Sequence, residues 1–282
     1  MNIDLLLHIV LFSQIMFISY YYPSRMLIWI HSIFENYSPN EFPKLYPESI
    51  EKYKKSAKHY QIINHLIMVL GFGLILWLNV APRNVKWDQE IVAFYFMIQL
   101  LPILGTELWS MKYLKAMRLL NQDTKKEAVL QPRRLTDFCS KNLLGTAVVI
   151  YIIFVGFSAY FDQFDYPWFD GYLNVLMISG VFLIFGIIGY RAMYGKVKNP
   201  HQSYENRKTR IQTLIRQLLL ISIAVMLYVM LEIPLKVYGL ESFIAISISL
   251  YFHVIVALYM QFPSLDSINF DVYKDKLALT KT

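Results

Sequence analysis

Two ionisable side chains, His65 and Glu107, stand where such groups are expensive, inside runs of apolar residues. His65 lies near the start of the run 62–80 and Glu107 near the end of the run 91–111, and the stretch 81–90 between them is too short to do more than reverse the chain. An antiparallel hairpin therefore brings the two to a similar depth, near the membrane face from which the hairpin enters. Paired there, they are the two groups that an intramembrane enzyme acting on lipid would need. Alone, Glu107 suits a proton or cation site.

The residues before Glu107 sharpen the question. Tyr95, Gln99, Pro102 and Thr106 recur at helical spacing, and Glu107 borders that stripe. Pro102 removes a backbone donor, so the carbonyl near Ile98 must find another partner or line a polar space. One reading is a polar sector facing the centre of the bundle. The reading preferred here is plainer: Glu107 is about a turn from Lys112, within reach of interfacial water or of His65, Lys112 or Arg191.

His253 is the deepest titratable group, midway along the last apolar run. Ser242, Ala245, Ser249, His253 and Ala257 recur three or four apart and make a small, polar face suited to close helix contact with hydrogen bonds across it. A neutral, hydrogen-bonded structural histidine is the expectation. Haem or metal would need a second ligand at matching depth, and His8 and His65 sit nearer opposite faces. The lone cysteine, Cys139, leaves no cysteine-based metal site. No cofactor and no metal is expected. Glu232, beside Pro234, stands four residues before Lys236, an ordinary helical pair.

Composition places these groups in lipid. The 282 residues have a mean hydropathy of +0.39 and are 56% hydrophobic with 17% charged, against about 25% charged in soluble domains. The apolar residues also fall in blocks. The chain reads as an all-α, polytopic membrane helix bundle of about seven transmembrane helices, near 5–22, 62–80, 91–111, 143–161, 172–194, 213–235 and 242–262. The start of the chain, with Asp4 and no basic region, reads as a retained first span. Residues 1–262 form the bundle and 263–282 a short polar tail.

Lys and Arg settle the expected orientation. The connections 23–61, 112–141 and 191–216 hold six, eight and seven of them, 21 against three in the alternating connections. Positive charge accumulates in the cytoplasm, so the basic loops 23–61, 112–141 and 191–212 and the tail are expected inside, the N-terminus outside, and the plasma (inner) membrane is the expected location. Acids at 48 and 51 ahead of Lys52–Lys58 predict a helix leading into the second span, and Asn199-Pro200 predicts the start of another leading into the sixth.

The net charge of +7 is explained by topology, and nucleic acid is not an expected partner. Lys52, Lys54 and Lys55, and Arg207, Lys208 and Arg210, are the densest basic clusters and could hold anionic lipid head groups. Trp29, Trp87, Trp109 and Trp168 near span ends read as depth-setting anchors, and Gly145, Gly156, Gly180, Gly186 and Gly189 as points of close helix approach. Nucleophile-elbow, zincin, Walker A and dinucleotide motifs are absent. The last span holds no lysine for a retinal Schiff base. The functional expectation is a non-enzymatic component that senses, scaffolds or couples to a membrane or cytoplasmic partner. The alternative is a transporter or channel for a small solute or ion using helices 3, 6 and 7.

Overall fold

The computed structural model describes residues 3–80, 89–121, 134–195 and 199–274. The turn around Trp87, the first half of the connector near 130–138, and Lys276 and Lys281 lie outside them. Among the described residues every regular element is helical: α1 (Ile3–Met16), a π-helical turn (Phe17–Tyr21), α2 (Tyr22–Asn36), α3 (Ile50–Val80), α4 (Gln89–Leu120), α5 (Lys141–Asp162), α6 (Gly171–Tyr194), α7 (Tyr204–Val237) and α8 (Ile244–Tyr259), with single 3-10 turns between and after them. Seven helical stretches are long and apolar enough to cross a membrane: Ile3–Asn36, Ile50–Val80, Gln89–Leu120, Lys141–Asp162, Gly171–Tyr194, Tyr204–Val237 and Glu241–Tyr259.

The outward faces of these helices are apolar. Leu76, Leu176 and Leu183 are each at least 67% exposed, and only 6% of the most apolar stretch of α6 is buried. Hydrocarbon so displayed is tolerable in lipid and not in water. The chain is compatible with an integral, multi-pass membrane protein.

The first span runs further than its sequence implies. Pro23 does not end it; helix continues to Asn36. Proline at the start of a helical segment costs no donor that the turn needs, and the π-helical turn just before it relaxes the register into which the ring would otherwise intrude. Asn199 likewise does not cap α7. Its Oδ1 accepts from the His201 N–H (3.0 Å) in a local turn, and Ser203 is the N-cap, accepting from the Asn206 N–H at 3.1 Å.

α1, α3, α4 and α8 enclose the main core around Leu11, Ile15, Val92, Tyr95 and Val256. Phe96 and Phe252 stack in it with ring centroids 3.7 Å apart. α5 and α6 pack with α7 to one side. Here the glycine expectation fails. A Cβ added at Gly145, Gly156, Gly180, Gly186 or Gly189 would meet no atom within 4 Å, so none of them permits a close approach. Within the main core a close approach occurs instead at Gly71, where α3 meets Tyr95 of α4 and Ile15 of α1.

The basic segments gather at one end of the bundle. Tyr113 at the end of α4 donates to the Leu45 carbonyl (2.7 Å), Asn199 Nδ2 to the Tyr273 hydroxyl (2.7 Å), Trp29 Nε1 to the Pro263 carbonyl (3.0 Å) and Gln212 Nε2 to the Asp137 carbonyl (3.2 Å). At the other end the acids between α5 and α6 serve structure. Asp162 Oδ1 accepts from the Gly171 N–H (2.7 Å) and Asp170 Oδ1 from the Leu173 N–H (2.8 Å), capping α6.

Candidate functional site

The inward stripe of α4 divides into two parts. Its deep half, Tyr95 and Gln99, enters a closed polar junction. Gln14 Nε2 of α1 donates to Gln99 Oε1 (2.8 Å), Gln99 Nε2 donates to Ser19 Oγ (2.9 Å), and Ser249 Oγ of α8 donates to Gln14 Oε1 (2.6 Å). The Tyr95 hydroxyl donates to the Ile67 carbonyl (2.9 Å). Gln14 and Ser249 have no exposed surface, and Gln99 has 2%. Amides buried in this way are tolerable only because each finds partners.

His253 is held by the same set of helices. Its Nδ1 lies 2.7 Å from the Ser249 carbonyl and its Nε2 3.0 Å from Ser13 Oγ. A proton on Nδ1 satisfies the Ser249 carbonyl, and the Ser13 hydroxyl that faces Nε2 also donates to the Val10 carbonyl (2.7 Å). The Phe17 ring lies 5.6 Å away.

His65 and Glu107 take separate partners. His65 Nδ1 is 2.8 Å from the Gln61 carbonyl and its ring stands edge-on to Tyr20, whereas Glu107 Oε1 accepts from the Tyr259 hydroxyl of α8 (2.8 Å). Glu107 is exposed, so Glu107→Gln or Tyr259→Phe is expected to lower stability by no more than about 1.5 kcal/mol, read as a small shift in thermal unfolding in detergent. Glu232 pairs with Lys236 at 2.7 Å, and the lysine Nζ also lies 5.3 Å from the Trp168 ring centroid. Of the basic clusters, Lys52 is paired with Glu48 (2.6 Å), and Lys54, Lys55 and Arg210 are exposed. Lys208 is half-buried. Arg207 donates to the Gly195 carbonyl (3.0 Å), closing the end of α6 as a cation at a helix C-terminus does.

The outer half of the α4 stripe, Pro102 and Thr106, forms one wall of a cavity of about 730 Å³. α2 and α3 form two more walls, and the tail residues Ile268, Phe270 and Tyr273 close one end. Among the described residues no charged side chain lines it. Aromatic rings pave it: Tyr53 lies 6.0 Å from Tyr46, 5.6 Å from Trp109 and 5.8 Å from Tyr113, centroid to centroid. Burial pushes the hydroxyls of Tyr46 and Tyr273 above their ordinary range, so these walls stay neutral at physiological pH.

Five tyrosines line the cavity, and the hydroxyls of four are bonded. Tyr46 donates to the Tyr37 carbonyl (2.6 Å) and Tyr113 to Leu45, while Tyr53 accepts from the Glu48 N–H (3.2 Å) and Tyr273 from Asn199. The hydroxyl of Tyr60, a residue only 8% exposed, is buried and makes no hydrogen bond. The nearby Asn64 amide instead donates to Tyr60's own carbonyl at 2.8 Å. With essentially no accessible surface, this oxygen points away from the cavity, toward the Asn64 side chain.

The cavity is not apparent from sequence alone. Trp29 and Trp109 read as membrane anchors, although Tyr53, Ala57 and Tyr60 recur at helical spacing within an otherwise basic segment and mark an inward face. Among the described residues no group of three or more His, Cys, Asp or Glu side chains could hold a metal ion. The chain matches no protein-family model, and no curated protein or solved structure matches it.

Proposed function

We propose that this chain is a non-enzymatic multi-pass protein of the cytoplasmic membrane that senses a membrane component or couples to a protein partner. Its basic end and C-terminal tail (263–282) face the cytoplasm, and its N-terminus faces outward. The observation that carries this reading is the closure of the deep polar groups on one another. Gln14, Gln99 and Ser249 hydrogen-bond among themselves, and His253 bonds to Ser249 and Ser13. A transporter would need such groups facing a water-filled space near mid-membrane, whereas the cavity between α2, α3 and α4 is apolar and lies toward one end. An enzyme acting on lipid would need His65 and Glu107 together, and they bond elsewhere.

The asymmetry of Lys and Arg supports the orientation, and the exposed Lys54, Lys55 and Arg210, with Lys208, suit anionic head groups at about 1 kcal/mol per well-placed cation. The test is complementation of a deletion strain. Glu107→Gln and His253→Ala are expected to rescue fully, while joint replacement of Lys54, Lys55 and Arg210 by alanine is expected to fail at equal expression. Loss of rescue by His253→Ala at normal protein level would contradict the reading.

A further inference from the structure

We propose that the cavity between α2, α3 and α4 binds one uncharged lipid from the surrounding membrane, its hydrocarbon in the slot and a hydroxyl or carbonyl oxygen bonded to the serines on its wall, Ser56 and Ser110. The proposal rests on the sensing reading and names what is sensed. Three observations carry it.

The first is charge. With no ionised side chain on its walls among the described residues, the cavity offers no partner to a carboxylate, a phosphate or an ammonium group, and burying one unpaired is prohibitive. The second is placement. Ile63 and Leu101 belong to the apolar runs at hydrocarbon depth, whereas Tyr46, Ile268 and Tyr273 lie beyond the span ends. From Leu101 to Tyr113 the wall rises about 18 Å at 1.5 Å per residue. A slot crossing the boundary between hydrocarbon and interface matches an amphiphile standing along the membrane normal, and its volume of about 730 Å³ lies within the ordinary range for small-molecule sites. The third is a pair of hydroxyls: Ser56 and Ser110 line the cavity, are partly exposed and form no hydrogen bond among the described residues. A ligand oxygen would satisfy what the empty site leaves open.

Trp29 and Trp109 line the cavity and report on it. The experiment uses the full chain with Trp77, Trp87 and Trp168 replaced by phenylalanine, in non-ionic detergent, titrated with brominated diacylglycerol. Brominated fatty acid and brominated phosphatidylglycerol serve as the charged comparisons. Saturable quenching at one diacylglycerol per protein, at least tenfold tighter than by either charged lipid, is the expected result. Gly105→Leu should abolish it: an added Cβ there meets no atom within 4 Å, so the side chain enters the space without a clash, and leucine is the better helix former. Joint replacement of Ser56 and Ser110 by alanine should weaken binding about tenfold, the loss of one hydrogen bond at 1.4 kcal/mol per decade.

Equal quenching by all three lipids, or quenching unchanged in Gly105→Leu, would overturn the proposal. Failure of the sensing reading would look different. There, Gly105→Leu would lose binding and still rescue the deletion strain, whereas loss of both supports binding and sensing together.

Discussion

Alanine at position 71 is expected to destabilise the main core by overpacking it. The new Cβ would fall against the Tyr95 hydroxyl, 2.6 Å from Tyr95 Cζ and 2.9 Å from Ile15 Cγ1. Tyr95 cannot swing aside cheaply, because it is 1% exposed and its hydroxyl is bonded to the Ile67 carbonyl. Overpacking of this kind costs about 1–3 kcal/mol, sometimes more. Gly73, two residues on, is the control: a Cβ there meets nothing within 4 Å, and alanine should gain up to about 1 kcal/mol of helix propensity. Thermal unfolding of the two variants in detergent should therefore move in opposite directions. Adding Tyr95→Phe to Gly71→Ala should recover part of the loss by removing the nearest atom.

The second large effect is expected at the polar junction. Gln99→Leu keeps much of the side-chain volume but leaves Gln14 Nε2 without an acceptor in a site that water does not reach. The loss expected is about 2 kcal/mol, an orphaned buried donor costing about 1–3 kcal/mol and a lost interhelical bond in a membrane up to about 1.7. The decisive sign comes next. Adding Gln14→Leu and Ser249→Ala removes the orphans, and the triple variant should be more stable than Gln99→Leu alone. If the single variant is as stable as the parent, the junction holds water or a second set of partners.

Much of the fold was legible because a span declares itself locally: a long apolar run bounded by charge needs no knowledge of its neighbours. The same local reading fails where two physical effects compete at one residue. Pro23 reads as a stop and serves as an early helical residue behind a π-helical turn. Asn199-Pro200 reads as a helix start, and the asparagine instead bonds its own turn and Tyr273.

The site was legible in part for a related reason. Periodicity identified Tyr95, Gln99, Pro102 and Thr106 as one face, and the face does turn inward. Periodicity says nothing about what stands opposite. Gln99 meets Gln14 from 85 residues away and Glu107 meets Tyr259 from 152, and neither pairing leaves a trace in spacing. Nor does composition tell a glycine in contact from one in open space, which is why Gly180 and Gly186 drew attention and Gly71 did not. The cavity is harder still, being a property of what three helices and the tail fail to fill.

The central claim is that the deep polar groups form a closed junction and not a path for water. Cys139 is the chain's lone cysteine, so Cys139→Ala gives a clean background for a thiol placed at Ser249, which has no exposed surface. With Ser249→Cys in sealed vesicles, a small hydrophilic thiol reagent applied from either side, while a cysteine at exposed Lys54 is labelled, should leave position 249 unmodified. Modification of position 249 from either side would reveal an aqueous route through the bundle and contradict the account.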